Sequence, residues 1–250
     1  MNKTSKDFNK KSPQDLGREL LAECFKQVPD VPKTLRLIHD GAALEEKNNH
    51  GNTPLLAAAS KGHTEIVRAL VGKGADHGAK NDLKDMPLFV AARMDYAEIA
   101  RILIGAGAGI DDRDRFGQTA LISAAWLDHK EIVRLLLDNN ADVDARDSFN
   151  DTALIMAAGQ GHEEVVLMLL DKGAELDARD YDGNTALDYA VRKRHPKIQK
   201  ILFEEPARRE EARLRAEKER IEAQEKALRD GVFLKEDLTI SPPLKLRRKP

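Results

Sequence analysis

Cysteine and aromatic residues are scarce in this chain of 250 residues. The single cysteine, Cys24, excludes an intramolecular disulfide framework and a cysteine-rich zinc site. Aromatic residues make up only 4% of the chain, so the core must consist mainly of Ala, Leu, Ile and Val. Any aromatic side chain that the fold leaves exposed is therefore of interest as a binding residue.

The chain also lacks an excess of charge and a long apolar run. Lys and Arg total 41 and Asp and Glu total 43, a net charge of -2, which argues against capture of nucleic acid or anionic membrane by bulk charge. No stretch approaches the ~20 apolar residues that span a bilayer, and residues 1–13 show no secretory signal. We expect a cytoplasmic protein; secretion by a route without an N-terminal signal stays open.

What the chain does contain is an internal repeat of 33 residues. Apolar residues recur in register at four positions over five copies. The four columns are Leu55, Leu88, Leu121, Leu154, Leu187; Ala58, Ala91, Ala124, Ala157, Ala190; Ile66, Ile99, Ile132, Val165, Ile198; and Leu70, Leu103, Leu136, Leu169, Leu202. Such a period predicts a stack of similar units.

Each copy is predicted to form two short helices joined by a turn. In the first copy, Thr53 is a suitable N-cap and Pro54 suits the first helical position. Thr64 is predicted to cap the second helix, and Gly74 to end it in a left-handed conformation. Neither helix is long enough to be stable alone in water, but stacked copies can share one core. The prediction is an all-α solenoid.

The repeated segments resemble the ankyrin repeat. Its Thr-Pro-Leu-His-x-Ala signature corresponds here to NTPLLAAASKGH, DMPLFVAARMDY, QTALISAAWLDH, DTALIMAAGQGH and NTALDYAVRKRH, without the signature histidine. The resemblance implies an ankyrin-repeat domain at 14–203 with short β-hairpin loops. It comprises a degenerate repeat at 14–48 and five full repeats at 49–203, after a flexible segment at 1–13. Lys84 and Met86 replace the hairpin glycine and the capping threonine, so we expect a weak junction between the first two full repeats.

Beyond the repeats, 17 of the 27 residues at 204–230 are charged, and this segment is predicted to form a charged helix. Glu205–Pro206 is a suitable start for this helix. An apolar residue recurs every seventh position, at Ala207, Leu214, Ile221 and Leu228. A coiled coil needs a second apolar position per heptad, so a solvated helix is favoured over a coiled coil. Residues 231–250 are predicted to be a flexible, proline-containing basic tail; docking of this tail on the repeats stays open.

No catalytic constellation is visible, so we predict no enzyme activity, no cofactor and no metal. His63, His129, His162 and His195 recur at one repeat position, but stacked helices hold such residues ~8–10 Å apart, too far to share a metal ion. The resemblance implies that they are structural residues of the inter-helix turn. Cys24, within an apolar helix, is interpreted as a buried hydrophobic residue rather than a nucleophile.

The ankyrin resemblance implies a concave surface formed by the ends of the inner helices and the hairpin tips. Residues of variable type at these positions are the candidate partner-binding residues: Leu83, Arg93, Met94, Arg115, Phe116, Trp126, Leu127, Phe149, Gln160, Tyr181 and Arg192. The enrichment in aromatic residues, Met and Arg is typical of an interface. Phe116 and Phe149 have an alternative role in packing on the neighbouring hairpin, whereas the equivalents of Trp126 are not core residues.

The sequence therefore predicts a monomeric, non-enzymatic protein-interaction module that binds a partner protein in this groove, and no small-molecule substrate. The alternative is a self-closed or oligomeric scaffold in which the C-terminal helix or tail occupies the groove.

Overall fold

A computed structural model of the chain describes residues 11–229 as twelve helices, without a strand among these residues. The helices are α1 Pro13–Cys24, α2 Val31–His39, α3 Pro54–Lys61, α4 Thr64–Gly72, α5 Pro87–Arg93, α6 Ala97–Gly105, α7 Ala120–Trp126, α8 Lys130–Asp138, α9 Ala153–Gln160, α10 Glu163–Asp171, α11 Ala186–Arg192 and α12 Pro196–Arg229. The predicted all-α solenoid is confirmed.

The helices pair within each repeat and stack between repeats. The inner helices α1, α3, α5, α7, α9 and α11 each pack on the next inner helix, and the outer helices from α2 to α10 do the same. The repeated apolar columns lie between them: the Ala58 column is fully buried, and so is Leu55 with its equivalents up to Leu154. One apolar core therefore runs through the stack.

Threonine caps fix the start of most inner helices. The Oγ1 atoms of Thr53, Thr119, Thr152 and Thr185 each accept a hydrogen bond from the backbone N–H three residues on, at 3.2–3.3 Å. The predicted cap at Thr64 is wrong, because α4 begins at Thr64 and its N-cap residue is His63, which makes no side-chain cap bond. The outer helices α6, α8 and α10 also lack a side-chain cap bond and are held by tertiary packing, whereas α2 is capped by Asp30.

The predicted β-hairpin loops are tight turns rather than strand pairs in the part of the chain described. In the first, the N–H of Asn48 donates to the carbonyl of Asn52 at 3.1 Å, and the four later loops repeat this bond. The Asn48 carboxamide oxygen accepts from the N–H groups of His50 and Asn52. Asn81, Asp114 and Asp147 make both side-chain bonds in their own loops. Each turn is thus stabilised by its own first side chain.

The segment after α11 differs from the prediction. The charged helix does not begin at Glu205–Pro206: α12 begins at Pro196, so Pro206 lies inside the helix. A proline costs one intrahelical hydrogen bond, but the Ala, Glu, Arg and Lys residues that follow have high helix propensity and continue the helix. The chain divides into two compact units at Phe203–Glu204, a boundary within α12.

Parts of the predicted domain organisation lie outside the described residues. These parts are most of the N-terminal segment 1–13, the last residue of the predicted helix 204–230, and the tail 231–250. Ser12 caps α1 through a hydrogen bond from the N–H of Asp15, so α1 begins close to the predicted start of the degenerate repeat. On α12, Leu214 and Ile221 are exposed, and the coiled coil stays a prediction.

The loop before α5 carries the irregularities expected of a weak junction. Lys84 has a φ of 60°, a left-handed conformation that Gly51, Gly117 and Gly183 adopt in the equivalent loops. Met86 precedes α5 and makes no cap bond. His77, in the preceding turn, has a buried Nδ1 atom without a hydrogen-bond partner.

We therefore predict that this junction opens first, since stability in a repeat array is nearly a sum of local and neighbour contributions. Native-state hydrogen exchange should show lower protection at residues 72–110 than at 119–170. Lys84→Gly, which removes the left-handed strain, should raise protection in the first range and leave the second unchanged. Equal protection of the two ranges in the wild type would contradict this prediction.

Candidate functional site

The hairpin tips are tied to one another by a ladder of backbone hydrogen bonds. The N–H of Asp82 donates to the carbonyl of His50 at 3.1 Å, and the same bond recurs once per repeat. The later rungs are Arg115 to Leu83 at 3.3 Å, Ser148 to Phe116 at 2.8 Å and Tyr181 to Phe149 at 3.1 Å. Corresponding tip residues are therefore held in line on neighbouring repeats.

The ladder brings predicted apolar residues into one row. Leu83, Phe116 and Phe149 occupy the same tip position of three consecutive repeats, and all three are exposed, Phe149 by 57%. Tyr181, on the next tip, is also exposed. Phe116 and Phe149 each retain about half of their exposure, and their packing on the neighbouring hairpin stays an alternative.

The ends of the inner helices supply the second part of the predicted surface. Trp126 ends α7 and its side chain is 47% exposed, and Met94 follows α5 and is similarly exposed. Leu127 is half-buried, while Arg93, Gln160 and Arg192 are exposed. Since α5 packs on α7 and α7 on α9, these helix ends lie on neighbouring repeats.

The predicted arginines already have intramolecular partners. The Arg115 guanidinium lies 4.5 Å from the centroid of the Phe116 ring, and Arg192 lies 4.4 Å from that of Tyr189. Arg93 lies over Phe89 and makes an ion pair with Asp85 at 3.3 Å. These contacts restrain the three arginine side chains before any partner binds, which lowers the entropy cost of using them.

Two residues of this surface were not predicted. Met156 on α9 and Tyr189 on α11 are half-buried at a repeat position where Ala57, Val90 and Ser123 are buried. The Tyr189 hydroxyl donates to Asp180 Oδ2 at 2.7 Å, which links α11 to the last loop. The change from small residues to Met156 and Tyr189 at this repeat position could have identified them from the sequence.

The loops of the last two repeats place carboxylates together. In earlier loops, a polar side chain after the tip meets the first side chain of the next loop; for example, Asn81 Nδ2 donates to Asn52 Oδ1 at 2.9 Å. The equivalent residues here are Asp151 and Asp180. Burial, followed by the charges of Asp147, Asp180 and Asp182, raises the pKa of Asp151 from 3.8 to about 6. Within residues 11–229, Asp151 makes no ion pair.

Asp151 should therefore make stability fall as pH rises. The folded state retains the proton of Asp151 between pH 3.8 and about 6. The contribution of this proton to stability is therefore complete below the unfolded pKa of 3.8 and is lost as pH rises through the folded pKa of about 6. Asp151→Asn should raise the free energy of unfolding at pH 7.5 by about 1 kcal/mol, a pKa shift of this size being discounted for solvent screening. Urea unfolding at pH 7.5 and pH 3.5 measures this; the gain should vanish at the lower pH.

The matched control is Asp85→Asn, at the same repeat position. Asp85 is nearly buried and pairs with Arg93, so its neutralisation should destabilise the protein at pH 7.5. If both variants shift stability in the same direction, the like-charge interpretation of Asp151 is wrong.

The repeated histidines bind the preceding repeat. His63 Nε2 donates to the carbonyl of Lys26 at 2.8 Å, and His129, His162 and His195 donate to Ala92, Trp126 and Gly159 at 2.9–3.3 Å. Each histidine thus ties the turn of its repeat to the inner-helix end of the one before, as predicted. Among residues 11–229, no three His, Cys, Asp or Glu side chains are grouped as metal ligands.

Two further observations concern the predicted chemistry. Cys24 is buried, and burial, with a smaller effect of the Glu23 charge, raises the pKa of its thiol to about 12. It is therefore a core residue rather than a nucleophile. Of the helices in the described part of the chain, none combines the length and the apolar character needed to cross a membrane.

Comparison with protein families identifies the repeats independently. A family model described as "Ankyrin repeats (3 copies)" matches residues 73–147 and 144–211. A second model, "Ankyrin repeat", matches residues 50–82. Comparison with curated proteins found no match.

Proposed function

Because the chain belongs to the ankyrin-repeat family, we propose that it is a non-enzymatic module that binds a partner protein on the surface formed by its hairpin tips and inner-helix ends. Ankyrin repeats are generally protein–protein interaction modules. The proposed surface consists of the tip row Leu83, Phe116, Phe149 and Tyr181 together with Met94 and Trp126 on the inner-helix ends.

The exposure of Trp126 is the observation that carries the proposal. The equivalent residues are Ser60, Arg93, Gly159 and Arg192, so the fold does not need an apolar side chain at this position. Its backbone carbonyl accepts the hydrogen bond from His162, whereas 47% of its side chain faces solvent. The only tryptophan of an aromatic-poor chain is thus about half exposed, and Trp is one of the residue types enriched among binding hot spots.

The rigidity of the surface supports the same function. One backbone bond per repeat ties the tips together, and one histidine bond per repeat ties four of the repeats to the inner-helix ends before them. A preformed surface of this kind loses little conformational entropy on binding, so more of the contact energy remains as affinity.

Trp126→Ala should weaken partner binding without unfolding the chain. A central Trp in an interface costs at least about 2 kcal/mol in affinity when it is cut to Ala, roughly a thirtyfold change in Kd. A core Trp would instead cost about 3–5 kcal/mol in stability. Affinity purification followed by mass spectrometry should recover a partner with the wild type and not with the variant, while the urea midpoints of the two agree.

The matched control is Leu167→Ala, because Leu167 is exposed to a similar degree but lies on the outer helix α10. This variant should retain the partner. A collapsed midpoint for Trp126→Ala, or an unchanged set of partners, would show that this surface is not the binding site.

The alternative of a self-closed scaffold is tested by deletion of residues 232–250, which lie outside the described residues. The segment contributes to no repeat, so the deletion should leave Tm within a few degrees of the wild type in a thermal melt. A large drop in Tm, together with stronger partner binding, would support closure by the tail instead.

A further inference from the structure

Two loops carry an aspartate at the same repeat position, and the two carboxylates differ in their surroundings. The five residues at this position are Asn52, Asp85, Gln118, Asp151 and Asn184. In the second full repeat, Asp85 is 5% exposed and its Oδ2 atom lies 3.3 Å from the Arg93 guanidinium at the end of α5. In the fourth full repeat, Asp151 is half-buried, and no ion pair to it exists among residues 11–229. The two loops therefore differ by one cation.

The difference follows from Gly159. It occupies the repeat position of Arg93, where the remaining repeats have Ser60, Trp126 and Arg192. A Cβ atom at Gly159 would have atoms of the Tyr189 side chain as its nearest neighbours, at 3.4–3.7 Å, which is ordinary contact. The place beside Asp151 that corresponds to the Arg93 side chain is therefore not filled from this repeat position. We call this place, bounded by Asp151, Gly159 and Tyr189, the α9 recess.

The charges around Asp151 favour a cation in the α9 recess. Burial, and then the charges of Asp147, Asp180 and Asp182, raise the pKa of Asp151 to about 6. The Tyr189 hydroxyl donates to Asp180 Oδ2 at 2.7 Å, but a neutral donor does not offset the net negative charge. A positively charged group offsets the repulsion between these carboxylates, whereas a neutral or acidic group does not. The recess is thus complementary to a cation.

The α9 recess lies within the surface proposed for partner binding. Trp126 occupies the same repeat position on α7 as Gly159 does on α9, and the two helices pack on each other. On the other side, the Arg192 guanidinium lies 4.4 Å from the centroid of the Tyr189 ring. His195 Nε2 donates to the Gly159 carbonyl at 3.3 Å, which restrains the backbone of the recess. A partner segment that runs from Trp126 to the next repeat therefore passes over the recess.

We propose that the partner segment bound on this surface presents an arginine side chain, which enters the α9 recess and pairs with Asp151 as Arg93 pairs with Asp85. This preference rests on the proposed function of the surface and specifies its partner. Arginine fits better than lysine, because a planar guanidinium can stack on an aromatic ring while it pairs with a carboxylate. Arg93 does both, with Asp85 and with the Phe89 ring at 5.4 Å. In the recess, Asp151 and Tyr189 supply the carboxylate and the ring.

A displayed library of random short peptides, screened against the full chain, tests the proposal. The selected peptides should share an arginine at one position. The Kd of one such peptide, measured by fluorescence polarisation, should rise about tenfold or more when its arginine is replaced by citrulline, which has a similar shape without the charge. Asp151→Asn should weaken binding of the arginine peptide by a similar factor and leave binding of the citrulline peptide almost unchanged. Because Asp151→Asn is expected to raise stability, a loss of affinity in this variant does not come from unfolding.

Filling the recess from within the chain gives a second readout. Gly159→Arg places a guanidinium at the repeat position of Arg93, so it should compete with the peptide arginine and weaken binding about tenfold or more. The variant should keep or raise the wild-type Tm, because a helical glycine is replaced and Asp151 gains a partner. The matched control is Ser60→Arg, the same change at the same position of the first full repeat, where Asn52 replaces the aspartate. It should bind the peptide like the wild type.

Selected peptides that share no arginine, or an arginine peptide that binds Asp151→Asn as tightly as the wild type, would overturn the proposal. A library that yields no binder, or a Ser60→Arg variant that loses the peptide as Gly159→Arg does, would also count against it. The binding surface itself is judged separately by Trp126→Ala. Weaker binding in Trp126→Ala together with unchanged binding in Asp151→Asn would retain the surface and reject the arginine.

Discussion

The sharing of one apolar surface between neighbouring repeats is the constraint on which this fold depends. Helices of seven to nine residues, such as α5 and α6, are not stable alone in water. Complete burial of one Leu side chain contributes roughly 1.5–3 kcal/mol, and the Leu70 column of four fully buried residues and Leu202 runs through five repeats. Each repeat is thus stabilised chiefly by its neighbours.

The same stacking fixes the geometry of the surface. A 33-residue period places each tip, histidine and capping threonine at the same position within its repeat. One pattern of hydrogen bonds therefore recurs along the chain. Side chains that make these bonds are constrained in type, whereas the hydrogen bonds of Trp126 and Phe149 in this pattern come from the backbone. These bonds do not depend on the type of side chain, and residue type does vary at these positions, which is why specificity is expected there.

Features that recur in every repeat could be predicted from the sequence, whereas features that depend on contacts found in one repeat only could not. The Leu55 and Ala58 columns and the exposure of Trp126 follow from period and residue type. The raised pKa of Asp151 does not, because it arises from burial and then from the charges of Asp147, Asp180 and Asp182, and Asp180 lies 29 residues away on the next loop. The start of α12 was missed because Pro206 was taken as a start signal, although outer-helix packing of Ile198 and Leu202 already sets the helix from Pro196.

At the ends of the stack a repeat has only one neighbouring repeat, so the period alone does not predict its exposed side chains. The exposed and paired residues at the two ends differ. At the N-terminal end, Glu23 is nearly buried and is compensated by Lys26 and Lys33, with hydrogen bonds that hold the pKa of Glu23 at about 2. At the C-terminal end, Val191 and Phe203 keep the apolar character of an interior junction. Charge satisfied within the chain closes a stack, whereas exposed apolar area is stabilised only by a further surface. Among the described residues, the two ends of the repeats therefore differ in kind: paired charges surround Glu23, whereas Val191 and Phe203 leave apolar area exposed.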